Sequence, residues 1–289
     1  MFGRRSDGKR IKNIDPFMRI VPHIMFDRTD AMVMQNQDYD CAGIDAFIKE
    51  MRTNEKIRFS YLDILTTAIV RTIAKRPKLN RFIVNGRIYK RNEIQISLAI
   101  KKKLVDSAAE TTIKLTFDGT ENIYEVKEKL DAIIKANKGV DKVNKTDKIA
   151  GAIVGKMPNF LIKFVVKLLK WMDKHGMLPK SIIEGSPMHT SVFLVHSKSI
   201  RMDPVLHHIY NFGTTGLFVS MGQEKLEPVI VDRHTKEIVI KKLLKAGLVV
   251  DERISDGVYN SLSMTLFKKY MESPAQLLEK NDEVIEDEG

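Results

Sequence analysis

The sequence predicts an α/β protein in which helices pack on a mixed β-sheet, and three observations carry that prediction. Apolar residues recur at three- and four-residue spacing in several stretches of helix length, and strand-length apolar runs crowd the second half. Gly, Pro and Asn-Gly punctuate the boundaries between them. The 289 residues suffice for one large domain or two small ones, with a substantial core and no need of staples.

In chain order, Met1 to Lys12 is polar and basic through Arg4, Arg5, Lys9, Arg10 and Lys12, so residues 1–15 are expected to be a flexible arm and not a signal segment. Pro16 to Phe26 mixes apolar residues with Pro22 and His23, and Ala31 to Asn36 has the character of a short strand. Ile44, Phe47, Ile48 and Met51 place a packed helix over Asp45 to Arg52. Ser60-Tyr61-Leu62-Asp63 reads as a capping box, and Leu62, Leu65, Ile69 and Ile73 continue the helix until Lys75-Arg76-Pro77 ends it. Asn85-Gly86 tolerates positive φ and makes Arg81 to Tyr89 a hairpin. Ile94, Ile96, Leu98 and Ile100 alternate with polar neighbours as a strand, which runs into Lys101-Lys102-Lys103. Thr111 to Phe117 and a helix from Glu121, with Ile123, Val126, Leu130 and Ile133 inward, follow.

Met157 to Met177 is the most apolar window. Lys163, Lys167, Lys170 and Lys174 form a cationic stripe opposite Leu161, Phe164, Val165, Leu168, Leu169 and Met172, too charged to span a bilayer. Two readings stay open for residues 158–174: an apolar face packed into the protein or a neighbouring subunit, or peripheral contact with a membrane through Phe160 to Trp171. From Ser181 the signals turn to β, with runs at Ser191 to Val195, Gly216 to Met221, Pro228 to Asp232 and Glu237 to Leu244. A further apolar run, Leu243 to Val250, enters the turn Asp251-Glu252-Arg253-Ile254-Ser255-Asp256-Gly257. Val258, Leu262, Leu266, Phe267, Tyr270 and Met271 then mark a helix that Pro274 stops. Residues 279–289 are acidic and expected to be a disordered tail, which leaves 16–278 as the domain.

A net charge of +11 names the sign of the partner. It attracts nucleic acid in general, but no zinc-finger spacing, aromatic platform or helix-turn-helix supports a specific nucleic-acid function. Cys41 is the single cysteine, which rules out an intrachain disulfide and suits a reducing, cytoplasmic compartment. No metal is expected; His207-His208 is the one histidine pair, and adjacent side chains diverge.

The segment from Asp251 to Gly257 resembles the C-terminal motif of the chloramphenicol acetyltransferase and 2-oxoacid dehydrogenase acyltransferase superfamily. That motif reads apolar strand, Asp-His-Arg-x-x-Asp-Gly, helix. Asp251, Arg253, Asp256 and Gly257 match in register, and Glu252 stands where the family has its histidine. A second match comes from the Tyr-Leu-Asp helix start at Tyr61, the Pro77-Lys78-Leu79-Asn80 element and the hairpin and strand after it. The resemblance covers Ser60 to Leu277. It implies a two-layer α/β sandwich of the chloramphenicol acetyltransferase type, a homotrimer with its site in a channel between subunits, and coenzyme A-dependent acyl transfer to a thiol or hydroxyl acceptor. No lipoyl or subunit-binding domain is expected ahead of Ser60.

Carried over position by position, the resemblance makes Asp256 and Arg253 the positioning groups of the turn. It makes Ser197 the oxyanion donor, with His196 one residue away as the alternative alignment, and Lys101, Lys102 and Lys103 candidates for the coenzyme A phosphates. Glu252 is the departure. An unperturbed carboxylate near 4.3 is about four units below a thiol near 8.5, a mismatch of about 5–6 kcal/mol. Burial without a cation raises a glutamate, whereas the adjacent Arg253 opposes that rise. Two hypotheses follow: an acyltransferase whose base is Glu252 or a histidine such as His196, or a catalytically silent relative that binds an acyl-coenzyme A or a partner without turnover.

Overall fold

The computed structural model describes residues 4–101, 110–137, 155 and 157–289. Strands β1 (Gly8–Arg10), β3 (Arg81–Val84) and β4 (Arg87–Arg91) form a small sheet in the order β1-β4-β3. Strands β2 (Met32–Asp40), β5 (Ile94–Lys101), β6 (Glu110–Phe117), β7 (Val192–Val195), β8 (Leu217–Ile230) and β9 (Ile238–Asp251) form a six-stranded mixed sheet, ordered β2-β9-β8-β7-β5-β6. Within it β5, β7 and β8 run parallel, and the other pairings are antiparallel. The helices are α1 (Pro16–Ile24), α2 (Cys41–Asn54), α3 (Tyr61–Lys75), α4 (Ile123–Asn137), α5 (Asn159–His175), α6 (Lys180–Gly185) and α7 (Gly257–Glu272).

The alternation of side chains along the strands decides which face holds the core. Ile96 and Leu98 of β5, Val192 and Leu194 of β7, Leu217 and Val219 of β8, and Leu244, Leu248 and Val250 of β9 pack against α2, α3, α4 and α7. Helix α3 is the centre of that layer, buried on all sides from Tyr61 to Ala74. Both halves of its capping box are formed, between Ser60 and Asp63. The intervening strand positions, Phe218 and Val249, face the other way and meet Ile209 from the loop before β8. That loop lies close enough that a Cβ on Gly247 would stand 2.6 Å from the Val205 carbonyl oxygen.

The predicted α/β class and the two-layer sandwich with a mixed sheet are the observed architecture. The hairpin at Asn85-Gly86 forms as its sequence requires, with φ of 51° and 66° at the two turn residues. Four of the β runs read separately are instead two 14-residue strands, β8 and β9, paired from Leu217↔Val250 out to Ile230↔Ile238. Cross-strand pairing carries β8 through polar positions such as Glu224, which lies between two of those runs.

Both chain ends depart from expectation. The arm is ordered from Arg4, and β1 is the edge of the small sheet. Arg5 has no exposed side chain and pairs with Asp7 and Asp173 at 2.8 and 2.6 Å. The acidic tail lies along the body. Arg71 of α3 donates to the Glu279 carbonyl, the Ile285 amide reaches the Ala74 carbonyl, and Asp287 takes both arms of Arg81 at 2.6 Å. Charge runs lose their disorder when buried counter-ions receive them.

Candidate functional site

The turn after β9 is pinned from two directions. Asp251 and Arg253 are buried at 1% and 3% exposure and meet as a fork, with Nε to Oδ1 at 2.8 Å and Nη2 to Oδ2 at 2.7 Å. The remaining Nη1 of Arg253 donates to the carbonyls of Met25 and Phe26, which ties the end of α1 to the turn. Ser255 is buried and its hydroxyl donates to Asn260. Asp256 is the N-cap of α7 and accepts from the Tyr259 amide at 2.8 Å, a bond that holds its carboxyl below the usual carboxylate range. Asp251, Arg253 and Asp256 thus work as scaffold.

Glu252 is different. It is exposed, its amide donates to the Ala31 carbonyl, and it borders a cleft of about 330 Å³ shared with Gln35, Asn36, Gln37, Asn260 and Ser261. Its wall mixes these amide and hydroxyl groups with the apolar side chains of Val33, Val250 and Met264.

Ser197 and His196 lie at the opposite end of the sheet. β7 and β8 run parallel with Val192↔Leu217, and β8 meets β9 with Leu217↔Val250, so Glu252 stands near the start of β7 while Ser197 follows its end. The strand rise puts them roughly 20 Å apart along the sheet. Lys101 ends β5, two residues beyond the Ala99↔Val195 pair, and so shares the Ser197 end at backbone level. Lys102 and Lys103 lie outside the described residues.

Ser197 is 2% exposed, in a short 3-10 turn. Burial, with Lys198 adding to it, lowers His196 to about 4, so its imidazole is neutral near pH 7. Around them Lys198 pairs with Glu224 and sits 4.1 Å over the ring of Tyr61, Tyr61 donates to Asp45, and Lys242 closes on Asp45. The rings of His207 and His208 stack 4.4 Å apart instead of diverging.

A larger cavity, about 540 Å³, opens on another side of the motif turn, where Arg253 meets Arg28, Trp171, Lys170, Lys174, Phe26 and Phe212. Beneath it runs a buried polar network that reasoning from the sequence missed. Asp173 on α5 sits 2.6 Å from Arg5 and 3.3 Å from Nε2 of His189. Burial pushes Asp173 up, but the contacts from His189 and Arg5 outweigh it and hold the carboxyl at about 2. Burial pushes His189 down. Arg91, 7% exposed, donates to the Thr190 and Thr214 carbonyls and stands 3.9 Å from Asp7. No periodicity marks these residues, because each comes from a different element.

A mixed six-stranded sheet under a helical layer, with a buried Asp-Arg fork in the turn between the last strand and the last long helix, is the chloramphenicol acetyltransferase-like acyltransferase fold. A probable dihydrolipoamide acetyltransferase from Listeria monocytogenes 4b F2365 superposes with a TM-score of 0.56 at 13% identity, covering 96% of this chain and 99% of that one. The dihydrolipoamide acetyltransferase of Azotobacter vinelandii, whose serine, histidine and asparagine have been examined for their role in its catalytic mechanism, gives 0.57 at 12%, covering 93% and 94%. A chloramphenicol acetyltransferase gives 0.51 at 12%, covering 94% and 100%. No protein-family model matches the sequence, and no curated protein sequence matches it.

Proposed function

We propose that the chain is a coenzyme A-dependent acyltransferase-like protein whose site is assembled from two copies, with the Glu252 turn of one meeting the Ser197 end of another. The observation that carries this reading is the separation of the two within one chain, about 20 Å of strand with the same sheet between them. Their joint action on one tetrahedral centre needs a second copy, and a homotrimer of the relatives' kind supplies it.

In that arrangement the acceptor, a thiol or hydroxyl, gives its proton to the Glu252 carboxylate and attacks the thioester carbonyl of an acyl-coenzyme A. The Ser197 hydroxyl donates to the oxyanion of the tetrahedral intermediate, a bond whose loss costs about 10²–10³ in rate at comparable sites. Collapse breaks the carbon–sulfur bond, and the coenzyme A thiolate takes the proton back from Glu252. His196 is the second candidate for the base: burial keeps its imidazole neutral near pH 7, but at about 4 it is no stronger a proton acceptor than an ordinary carboxylate. Lys101, whose backbone ends β5 at the Ser197 end, and Lys102 and Lys103 next in sequence are the candidates for the coenzyme A phosphates. The unpaired, buried Cys41 supports a cytoplasmic setting.

The exposed Glu252 also favours a second reading, the silent relative that binds acyl-coenzyme A or a partner without turnover. Free thiol released from acetyl-coenzyme A across a panel of thiol and hydroxyl acceptors decides between them. Turnover lost in Glu252→Gln is the expected outcome for the enzyme. An inert wild type that gains turnover in Glu252→His makes the silent reading the correct one.

A further inference from the structure

The 540 Å³ cavity beside the motif turn holds a buried cation that has no ion-pair partner among the described residues. Arg28 is 7% exposed; its Nε donates to the Thr215 carbonyl at 3.1 Å, and its two terminal nitrogens meet no acceptor among the described residues. The buried acids nearby are already taken, and exposed Asp27 on the cavity wall makes no ion pair with Arg28. Both oxygens of Asp251 are held by Arg253, and Arg5 binds both Asp7 and Asp173. Among the described residues of this buried network four guanidinium groups, of Arg5, Arg28, Arg91 and Arg253, face three carboxylates, of Asp7, Asp173 and Asp251. Arg28 carries the surplus. Burial draws it down to about 10, which still leaves it charged at neutral pH.

A desolvated guanidinium with unused donors is costly unless an anion completes it, and its planar fork fits a carboxylate or phosphate. The cavity walls add the rest of such a site. Lys170 and Lys174 stand one helical turn apart on α5, exposed and outside any ion pair among the described residues. Trp171 and Phe212 offer flat apolar surface, while Asp27, exposed, is the opposing charge on the wall. The volume falls in the range of small-molecule sites.

We propose that this cavity binds a small organic anion, with its carboxylate or phosphate head on the terminal nitrogens of Arg28 and its apolar body against Trp171 and Phe212. Lys170 and Lys174 flank the charge. The site stands apart from acyl transfer and is tested without it.

Trp171 is the single tryptophan of the chain, so its fluorescence reports occupancy directly. The full-length protein is titrated at constant ionic strength with phenyl phosphate, with benzoate, and with benzyl alcohol as the neutral control. Saturable change with an anion and none with benzyl alcohol is the expected result. Response to phenyl phosphate alone assigns a phosphate head, to benzoate alone a carboxylate, and to both an unselective anion site. Arg28→Gln is expected to weaken binding by roughly ten- to a hundredfold, the worth of charge-assisted hydrogen bonds. Because Arg28 is buried, the double variant Lys170→Glu, Lys174→Glu on the exposed helix is measured beside it, with circular dichroism to confirm the fold, and is expected to bind no anion measurably. Anions that act no better than benzyl alcohol, or a folded variant of either kind that binds like wild type, overturn the proposal.

Discussion

Arg253 has no idle donor group: one side of its guanidinium grips Asp251 and the other holds the backbone at Met25 and Phe26. Lysine keeps the charge but cannot fork, so Arg253→Lys leaves a buried carboxylate half satisfied. A loss of about 3–5 kcal/mol in chemical denaturation is expected. Asp173 makes a pH-dependent contribution of known sign. Its carboxyl titrates at about 2 in the fold against 3.8 as the ordinary value, so the unfolded chain takes up the proton first as pH falls. Its stabilisation of about 2 kcal/mol is complete above about pH 4 and disappears towards pH 2. Urea midpoints measured across that window should fall in the wild type and be flatter in Asp173→Asn.

At the scale of elements, α5 and the C-terminal tail differ in how this chain covers them. Helix α5 buries only Asp173 among its residues, and it leaves Phe160 and Phe164 exposed at 74% and 61%. Leu161, Val165, Leu169 and Met172 are half-buried, whereas Phe160 and Phe164 lack cover from the described residues and leave a face that a subunit or a membrane surface could meet. Flotation with anionic liposomes is expected to show binding that is lost when Lys163, Lys167 and Lys170 become glutamate; unchanged partitioning gives the face to a protein partner. The tail, by contrast, is structural. Asp287 and Arg81 are 6% and 2% exposed at their side chains, and Asp287→Ala strands the guanidinium, for an expected loss of about 3–5 kcal/mol read from the denaturation midpoint.

What could be read beforehand was what is local. The Ser60–Asp63 cap, the Asn85-Gly86 turn and, within the motif turn, the Asp251–Arg253 fork and the Asp256 cap each form between residues close in sequence. The parts that escaped are those whose partners lie far off in the chain. Arg5 is 168 residues from Asp173, and Arg81 is 206 from Asp287, so composition alone made both ends look like solvated charge. The candidate site divides the same way. Its turn was legible, while the separation of Glu252 from Ser197 emerges only once the strand order is known.

For the whole molecule, exposed apolar side chains along the β8–β9 hairpin bear on assembly. Leu226, Ile238 and Ile240 are exposed at 73%, 61% and 65%, a row that single-chain packing leaves uncovered. Sedimentation equilibrium is expected to give a trimer, and Ile238→Asp with Ile240→Asp to give smaller species without turnover. A monomeric wild type would remove the two-copy site. The strand order has a kinetic consequence as well. β2 finds its partner only in β9, with Met32 opposite Asp251, so the nascent sheet carries an unpaired border until more than two hundred residues have emerged. Loop closure over that distance precedes its reward, and refolding from denaturant should be slow and prone to aggregate at high protein concentration.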